Sequence, residues 1–268
     1  MSASQKLQHS DVVRVEINGS VATITLTRSH RLNAITYALL RDLRAALLAV
    51  GEDASVRAVI LVGDGRAFCA GLDLAEGLAD PSIDDPVQAT HAGMRIGAGV
   101  TAAIRSIPQP VIAAVRGYAV GAGLAFAAAA DIRIIAADAR FAAPFLPLGM
   151  TAGDFGLSWT LPRLIGQGRA AALIYGAGRF DAEQAVAYGF ASAVESKPLE
   201  AAREYAETVA SYAPYGVQNT KRLLDSAWNS AFTAHLETEA EAQTIGATSA
   251  AAQEAFAAAL AATKRPKA

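Results

Sequence analysis

The sequence has little cysteine and little histidine. A single thiol, Cys69, can form no internal disulfide and no cysteine-rich metal site, so the composition fits a reducing compartment such as the cytoplasm. The histidines lack the spacing of metal ligands, and no metal site is expected. They are His9, His30, His91 and His235.

Charged residues are also scarce, at 18% of the 268 residues, with a formal net charge of -2 at pH 7. This balance gives no reason to expect a nucleic acid or an anionic membrane as partner. No apolar run reaches the length of a membrane span, and residues 1–11 are too polar for a secretory signal. No Gly-x-Ser-x-Gly sequence is present, which argues against a serine hydrolase with that nucleophile turn.

Hydrophobic residues make up 53% of the chain, enough for a large core. Strand-like and helix-like segments alternate first, beginning with a hairpin predicted to turn at Asn18-Gly19 in a type I′ conformation. Helices are predicted over 36–50 and 90–106, and from Ser158 onward the pattern becomes helical, ending in long helices over 217–228 and 232–262. The pattern predicts an α/β domain over residues 1–198 and a helical part over 199–268.

Two glycine-rich turns each follow a short apolar strand. Phe68 to Leu74 comes after the run Ala58–Gly63, and Gly117 to Gly123 comes after Val111–Val115. Small residues let a ligand approach the backbone, and the first turn of a helix leaves amides unpaired. Two such turns facing each other would direct two donors at one oxygen, forming an oxyanion hole. The alternative is ordinary tight packing of strand against helix.

These turns, with Arg28 and Asn33-Ala34 before them and Leu161 to Gly166 and Gly176 to Asp181 after them, resemble the crotonase family, also called the enoyl-CoA hydratase/isomerase family. The resemblance covers nearly the whole chain. It implies an α/β fold with a ββα spiral core, a C-terminal helical trimerisation part, and assembly as a homotrimer or hexamer. It also implies an acyl-CoA thioester as ligand, with coenzyme A as part of the substrate and no separate cofactor.

The resemblance implies that the backbone amides of Ala70 and Ala122 hold the thioester oxygen. It further implies contacts of the substrate with residues around the two turns and with basic side chains near the coenzyme A phosphates. These residues are Arg28, Arg31, Ala34, Phe68, Gly71, Leu72, Asp73, Leu74, Gly121, Ala125, Phe145 and Lys264.

The departures from the family pattern bear on the chemistry. The two glutamates that family hydratases use as acid and base correspond here to Ala125 and Phe145, which cannot carry a proton. Asp154 is the best remaining candidate for proton transfer, and its alternative role is to cap the helix that begins near Gly156. Asp73 is interpreted as structural, and Cys69 as a small buried residue rather than a nucleophile.

Three functions follow from this set of residues. Isomerisation of an enoyl-CoA double bond needs only one shuttling base, whereas hydration by the family's usual route needs both missing glutamates. Thioester hydrolysis, or another carbonyl reaction on the same fold, is a second candidate. The third is a non-catalytic protein that binds acyl-CoA in a retained pocket.

Overall fold

The computed structural model describes residues 10–263. They belong to two compact units that divide between Ala210 and Ser211. Within residues 10–263, no helix combines the length and the apolar character that crossing a bilayer requires.

Nine strands occur in the described residues, all within the first unit. They are β1 (Val13–Asn18), β2 (Val21–Leu26), β3 (Ala58–Gly63), β4 (Val111–Val115), β5 (Tyr118–Val120), β6 (Ile132–Ile135), β7 (Arg140–Ala142), β8 (Arg179–Asp181) and β9 (Ala193–Val194).

The helices of the first unit lie between and after these strands, and those of the second unit follow one another. They are α1 (Tyr37–Glu52), α2 (Pro86–Ser106), α3 (Ala122–Ala129), α4 (Leu157–Ile165), α5 (Gln167–Tyr175), α6 (Ala182–Ala187), α7 (Pro198–Ser211), α8 (Pro214–Ala227), α9 (Phe232–Ala247) and α10 (Ala250–Thr263). Short 3-10 turns lie at Ser29–Arg31 and Leu146–Leu148.

A six-stranded sheet in the order β1-β2-β3-β4-β6-β9 forms the centre of the first unit. Only the β1–β2 pair is antiparallel; each of the other pairs is parallel. The apolar runs of β3 and β4 follow from this position, because a parallel strand with both faces covered has no polar face. Val59 and Leu61 pack into the main core with α1 and α2, whereas Ala58 and Ile60 pack with α7 on the other face.

The hairpin is present, but its turn differs from the predicted one. Asn18 pairs with Val21, so Gly19 and Ser20 are the two loop residues. Gly19 has φ +60°, and Ser20 is not among the residues with positive φ. A type I′ turn needs positive φ at both central residues, so that prediction is wrong.

Helix α1 illustrates how the sequence determines an element. The Thr36 side chain accepts a hydrogen bond from the Leu39 amide at 3.3 Å and caps the helix. The apolar face recurs with helical periodicity and is buried. Its buried residues are Leu39, Leu40, Leu43, Ala46, Leu47 and Val50.

Helix α7 lies with the first unit, although the sequence assigned it to the C-terminal helical part. Ala202 and Ala206 are fully buried in the core cluster that contains Ile60 and Ile112 of the sheet. The small side chains let this helix approach the sheet closely. The two compact units divide between Ala210 and Ser211, at the last residue of this helix.

The second unit contains α8, α9 and α10. The helix predicted over 232–262 is divided into α9 and α10 at Thr248 and Ser249. The Thr248 hydroxyl donates to the Thr244 carbonyl at 2.9 Å, and the Ser249 hydroxyl accepts from the Ala252 amide at 3.2 Å. The Thr248 hydroxyl bond does not replace a backbone bond, because the Thr248 amide also donates to Thr244. The Ser249 amide bonds the Gly246 carbonyl, three residues back, while the Ser249 hydroxyl takes up a first-turn amide of α10, so one helix ends and the next begins at Ser249.

A second sheet of three short strands, in the order β5-β7-β8, carries the chain into the candidate site. β5 pairs in parallel with β7, and β7 pairs antiparallel with β8. Strands of three residues leave little periodic signal, which explains why β5 and β8 are absent from the sequence prediction.

Candidate active site

The two glycine turns lie against each other. The Cys69 amide donates to the Tyr118 carbonyl at 2.9 Å, and the Val120 amide donates to the Cys69 carbonyl at 3.0 Å. Two glycines make this approach possible: a Cβ at Gly71 would lie 2.8 Å from the Val120 oxygen, and one at Gly123 would lie 2.3 Å from the Cys69 oxygen. The two turns therefore face each other, as the oxyanion-hole interpretation requires, and they also pack tightly, as the alternative interpretation requires.

In the first turn, the amide of Ala70 already has a partner. It donates to the Leu32 carbonyl at 3.0 Å. The prediction that the Ala70 amide is an oxyanion donor is therefore wrong, because the fold itself uses that proton. Ala70 still lines the adjacent cavity.

The amide of Leu72 differs from that of Ala70. The Ile35 amide donates to the Gly71 carbonyl at 2.7 Å, and the Asp73 amide donates to the Ile35 carbonyl at 2.9 Å. In such a parallel bridge the residue between the two bonded ones directs its own N–H to the opposite side. Within residues 10–263 the Leu72 amide has no hydrogen-bond partner.

In the second turn, Ala122 is the first residue of α3. The Gly121 amide donates to the Ala142 carbonyl at 2.9 Å, and Gly121 has φ +55°, which turns the chain sharply into the helix. First-turn amides have no partner inside their own helix. The described part of the chain offers the Ala122 amide no other acceptor.

Leu72 and Ala122 line the same cavity of about 380 Å³. Almost all of its wall is apolar. The lining residues are Ile35, Ala70, Gly71, Leu72, Leu74, Leu78, Met94, Val120, Gly121, Ala122, Pro144, Phe145, Leu148, Met150, Thr151, Gly153, Asp154 and Phe155. An apolar wall with two amides that have no partner among the described residues is a setting in which a polarised oxygen can be stabilised.

Among the described residues of that lining, Asp154 is the one ionisable side chain. Burial raises its pKa from 3.8 to about 6, because the apolar wall disfavours the charged carboxylate. The prediction that Asp154 caps α4 is wrong. The residue that caps this helix is Gly156, without a side-chain hydrogen bond, and Asp154 contributes only its backbone carbonyl to the Leu157 amide, at 2.8 Å.

Phe155 fixes the chain next to Asp154. It has φ +45°, an unfavourable backbone conformation for a residue with a large side chain. The Thr101 hydroxyl donates to its carbonyl at 2.8 Å, and its ring stacks on Phe126 with centroids 5.7 Å apart. The ring also fills the space above Gly97, where a Cβ would come within 2.1 Å of it. These contacts hold Asp154 at the cavity wall.

The two positions of the absent glutamates have different surroundings. Phe145 lines the cavity, and only 6% of its surface is exposed. Ala125 is fully buried within α3 and does not line the cavity, so its predicted contact with substrate is not found in this arrangement. Its single methyl group packs into the helix–sheet core.

Arg28 and Asp73 form a buried ion pair beneath the first turn. The Arg28 guanidinium donates to Asp73 at 3.1 Å and also to Glu76 and to the Ala34 carbonyl. Burial by itself would raise the pKa of Asp73, but hydrogen bonds from the Ala75 and Glu76 amides and the Arg28 charge hold it below its usual range. The structural interpretation of Asp73 is confirmed, and Arg28 is committed to internal partners rather than directed toward a phosphate.

Arg28→Ala is expected to lower the free energy of unfolding by about 3 kcal/mol, because it leaves the buried Asp73 carboxylate without its cation. Chemical denaturation measures this change. Arg31→Ala is the matched control, since Arg31 is exposed and should change stability by less than about 0.5 kcal/mol. Equal stability of the two variants would contradict a structural role for the Arg28–Asp73 pair.

The other residues predicted to contact the substrate are distributed over several environments. Gly71, Leu72, Leu74 and Gly121 line the cavity. Phe68 and Ala34 are buried outside its lining, and Arg31 is exposed at the end of a 3-10 turn. Lys264 lies outside the described residues.

Cys69 is fully buried, and burial raises the pKa of its thiol to about 12, which confirms its interpretation as an inert small residue. The sequence analysis missed the part of the lining supplied by Leu78, Met94 and the segment from Leu148 to Gly153. The apolar character of these residues carries no signal that distinguishes a cavity wall from a core.

The comparisons with known proteins agree with this architecture. The sequence profile of the family described as enoyl-CoA hydratase/isomerase matches residues 16–263. A probable enoyl-CoA hydratase of Mycobacterium tuberculosis, EchA12, is 36% identical over 230 residues, which cover 84% of this chain and 80% of that protein.

Solved structures show the same likeness. A putative enoyl-CoA hydratase from Streptomyces coelicolor A3(2) superposes with a TM-score of 0.88 at 34% identity, covering 100% of this chain and 97% of that one. DspI of Pseudomonas aeruginosa superposes with a TM-score of 0.87 at 29% identity, covering 100% of both chains. With its spiral α/β core, the chain belongs to the enoyl-CoA hydratase/isomerase family, the crotonase family.

Proposed function

We propose that this protein is an acyl-CoA-processing enzyme that moves the double bond of an enoyl thioester through an enolate. The observation that carries the proposal is Asp154, the single ionisable group among the described residues that line an apolar cavity. Two backbone amides at the same cavity have no partner within those residues. A carboxyl group with a pKa near 6 can both accept and return a proton near neutral pH.

In this proposal, the thioester oxygen accepts hydrogen bonds from the amides of Leu72 and Ala122. Taking a proton from the carbon next to the thioester moves negative charge onto that oxygen. Fixed donors in a dry site stabilise this charge, and each is worth about 3 kcal/mol. This assignment is supported by the cavity that both amides share and by their lack of a partner within residues 10–263.

A single residue, Asp154, can both remove and return the proton in this reaction. The Asp154 carboxylate removes a proton from C2 of a 3-enoyl thioester, and the electron pair of that bond delocalises onto the oxygen through the enolate. The protonated carboxyl then delivers the same proton to C4, and the double bond comes to lie between C2 and C3. Hydration would need a second group to activate water, and the corresponding positions hold Ala125 and Phe145.

A panel of saturated, 2-enoyl and 3-enoyl-CoA thioesters, followed by chromatography and mass spectrometry, tests the proposal. Interconversion of 3-enoyl and 2-enoyl thioesters without a change of mass is the expected result. A gain of about 18 mass units, the mass of one water, would show hydration by groups other than the usual glutamates. Tight binding with no conversion of any thioester would favour the non-catalytic alternative.

Assembly into a homotrimer or hexamer, which the resemblance implies, is part of the proposal. Large exposed apolar side chains on the helices of the second unit support it, because such side chains favour a protein partner. Examples are Leu224, Phe232, Ile245 and Phe256. Sedimentation measures the number of copies directly.

A further inference from the structure

A second cavity, of about 600 Å³, adjoins the first. Met150, Thr151 and Gly153 line both cavities. The rest of the second wall comes mainly from α4 and α5. Its lining residues are Leu146, Gly149, Met150, Thr151, Ala152, Gly153, Ser158, Pro162, Gln167, Ala170, Ala171, Ile174 and Tyr175.

The partition between the two cavities is weakly held. The Met150 amide donates to the Phe145 carbonyl at 3.1 Å, and the next backbone bond along the chain joins Leu157 to Asp154. Within the described part of the chain, residues 151–153 make no backbone hydrogen bond. Ala152 packs into the main core, but Thr151 and Gly153 on either side of it are exposed, so these two parts of the wall can yield to a ligand.

The chemistry of the second wall is neutral. The described residues that line it include no charged side chain, and their polar side-chain groups are hydroxyls and one amide, from Thr151, Ser158, Gln167 and Tyr175. A carboxylate at the end of an acyl chain would find no cation here. A hydrocarbon chain finds the apolar surfaces of Pro162, Ala171 and Ile174.

The volume of the first cavity also indicates that a long acyl chain extends beyond it. The first cavity, at about 380 Å³, is near the lower end of the range for small-molecule pockets, and it must hold the thioester and the carbons next to it. A longer chain needs an outlet. The shared residues place that outlet beside Asp154, on the side of Gly153.

We infer that the second cavity receives the distal part of an uncharged acyl chain, so that the substrate class is medium- to long-chain acyl-CoA. This inference rests on the proposed function, since it needs the thioester in the first cavity. The chain passes between Met150 and Gly153 and ends against α5.

Calorimetric binding of saturated butyryl-, octanoyl- and dodecanoyl-CoA tests the inference without relying on turnover. Each methylene group buried in an apolar site contributes about fourfold in affinity. For the natural sequence, dodecanoyl-CoA is expected to bind at least about 100-fold more tightly than butyryl-CoA.

Ala171→Phe places a ring in the second cavity and is expected to remove most of this chain-length dependence, with butyryl-CoA binding unchanged. Ala172→Phe is the matched control, because Ala172, next to Ala171 on α5, is exposed and absent from the lining, so the affinities for all three thioesters should not change. Ile174→Trp, at another lining position, gives the same test if Ala171→Phe does not fold.

Two results would overturn the inference. One is equal affinity of the natural protein for all three thioesters, and the other is a uniform effect of Ala171→Phe on every chain length. Binding of butyryl-CoA in those cases would leave the proposed function standing. Absence of binding by any acyl-CoA would instead overturn the proposed function as well.

Discussion

Asp154→Asn is expected to lower kcat/KM for enoyl-CoA isomerisation by about 10²–10⁴-fold, the usual contribution of one positioned acid–base group. The asparagine side chain has nearly the same shape but cannot take up the proton. Saturated acyl-CoA should bind the variant normally, because the amides of Leu72 and Ala122 are untouched. Full activity in the variant would exclude Asp154 as the proton carrier.

The pH profile gives a second signature of the same group. Because the carboxylate form is the base, kcat/KM should rise with pH and level off above about pH 6, the pKa of Asp154. The residual activity of Asp154→Asn should lack this acidic limb. If the natural protein and Asp154→Asn both show an acidic limb with the same midpoint, that limb belongs to a group other than Asp154.

As pH rises, the free energy of unfolding should fall, whereas kcat/KM should rise. The pKa of Asp154 is raised on folding from 3.8 to about 6, so the folded protein retains a proton that the unfolded chain has lost between these pH values. The free energy of unfolding therefore falls as pH rises through this window, by up to about 3 kcal/mol at about 1.4 kcal/mol per pKa unit. Asp154→Asn should remove that penalty and raise stability at pH 7–8.

Asp181 provides the matched comparison, since it is a true helix cap. Its side chain accepts from the Gln184 amide at 3.0 Å, and Gln184 reaches back to the Asp181 amide. Asp181→Ala should lower stability by about 1 kcal/mol and leave kcat/KM unchanged. If Asp154→Asn lost stability in the same way, the role of Asp154 would be structural.

Ala122→Pro is expected to lower kcat by about 10²–10³-fold, the effect of removing one donor from an oxyanion hole. Proline has no N–H, and the first position of a helix tolerates it, so α3 should still form. Ala122→Gly keeps the N–H and is the control, with near-normal kcat. The comparison isolates the amide from the side chain.

Circular dichroism and unfolding curves establish whether the proline variant folds. A folded Ala122→Pro protein with unchanged kcat would show that the Ala122 amide does not meet the developing charge. Equal losses in the proline and glycine variants would point instead to a requirement for the alanine methyl group.

Much of the architecture could be predicted from the sequence. The apolar runs of β3 and β4, the amphipathic pattern of α1 and the small residues of both glycine turns each have a direct structural cause. The position of the helix break at Ser249 depends on a local side-chain cap, which a helical periodicity does not contain.

The proposed oxyanion donors show most clearly what the sequence does not contain. The spacing of the first glycine turn does not reveal which amide is already used, and the sequence analysis selected Ala70. The bond from Ala70 to Leu32 joins segments distant in the chain, so only the folded structure identifies Leu72 as the unpaired donor. Similarly, the burial of Arg28 depends on Asp73 and Glu76 lying above it.

The central claim is that the amides of Leu72 and Ala122 together hold a thioester oxygen beside Asp154. A crystal structure with bound butyryl-CoA, which has no double bond to move, tests it most directly. The account predicts the thioester oxygen about 2.7–3.1 Å from both backbone nitrogens, with C2 facing the Asp154 carboxyl group. A thioester whose oxygen contacts neither nitrogen, or lies outside the cavity, would contradict it.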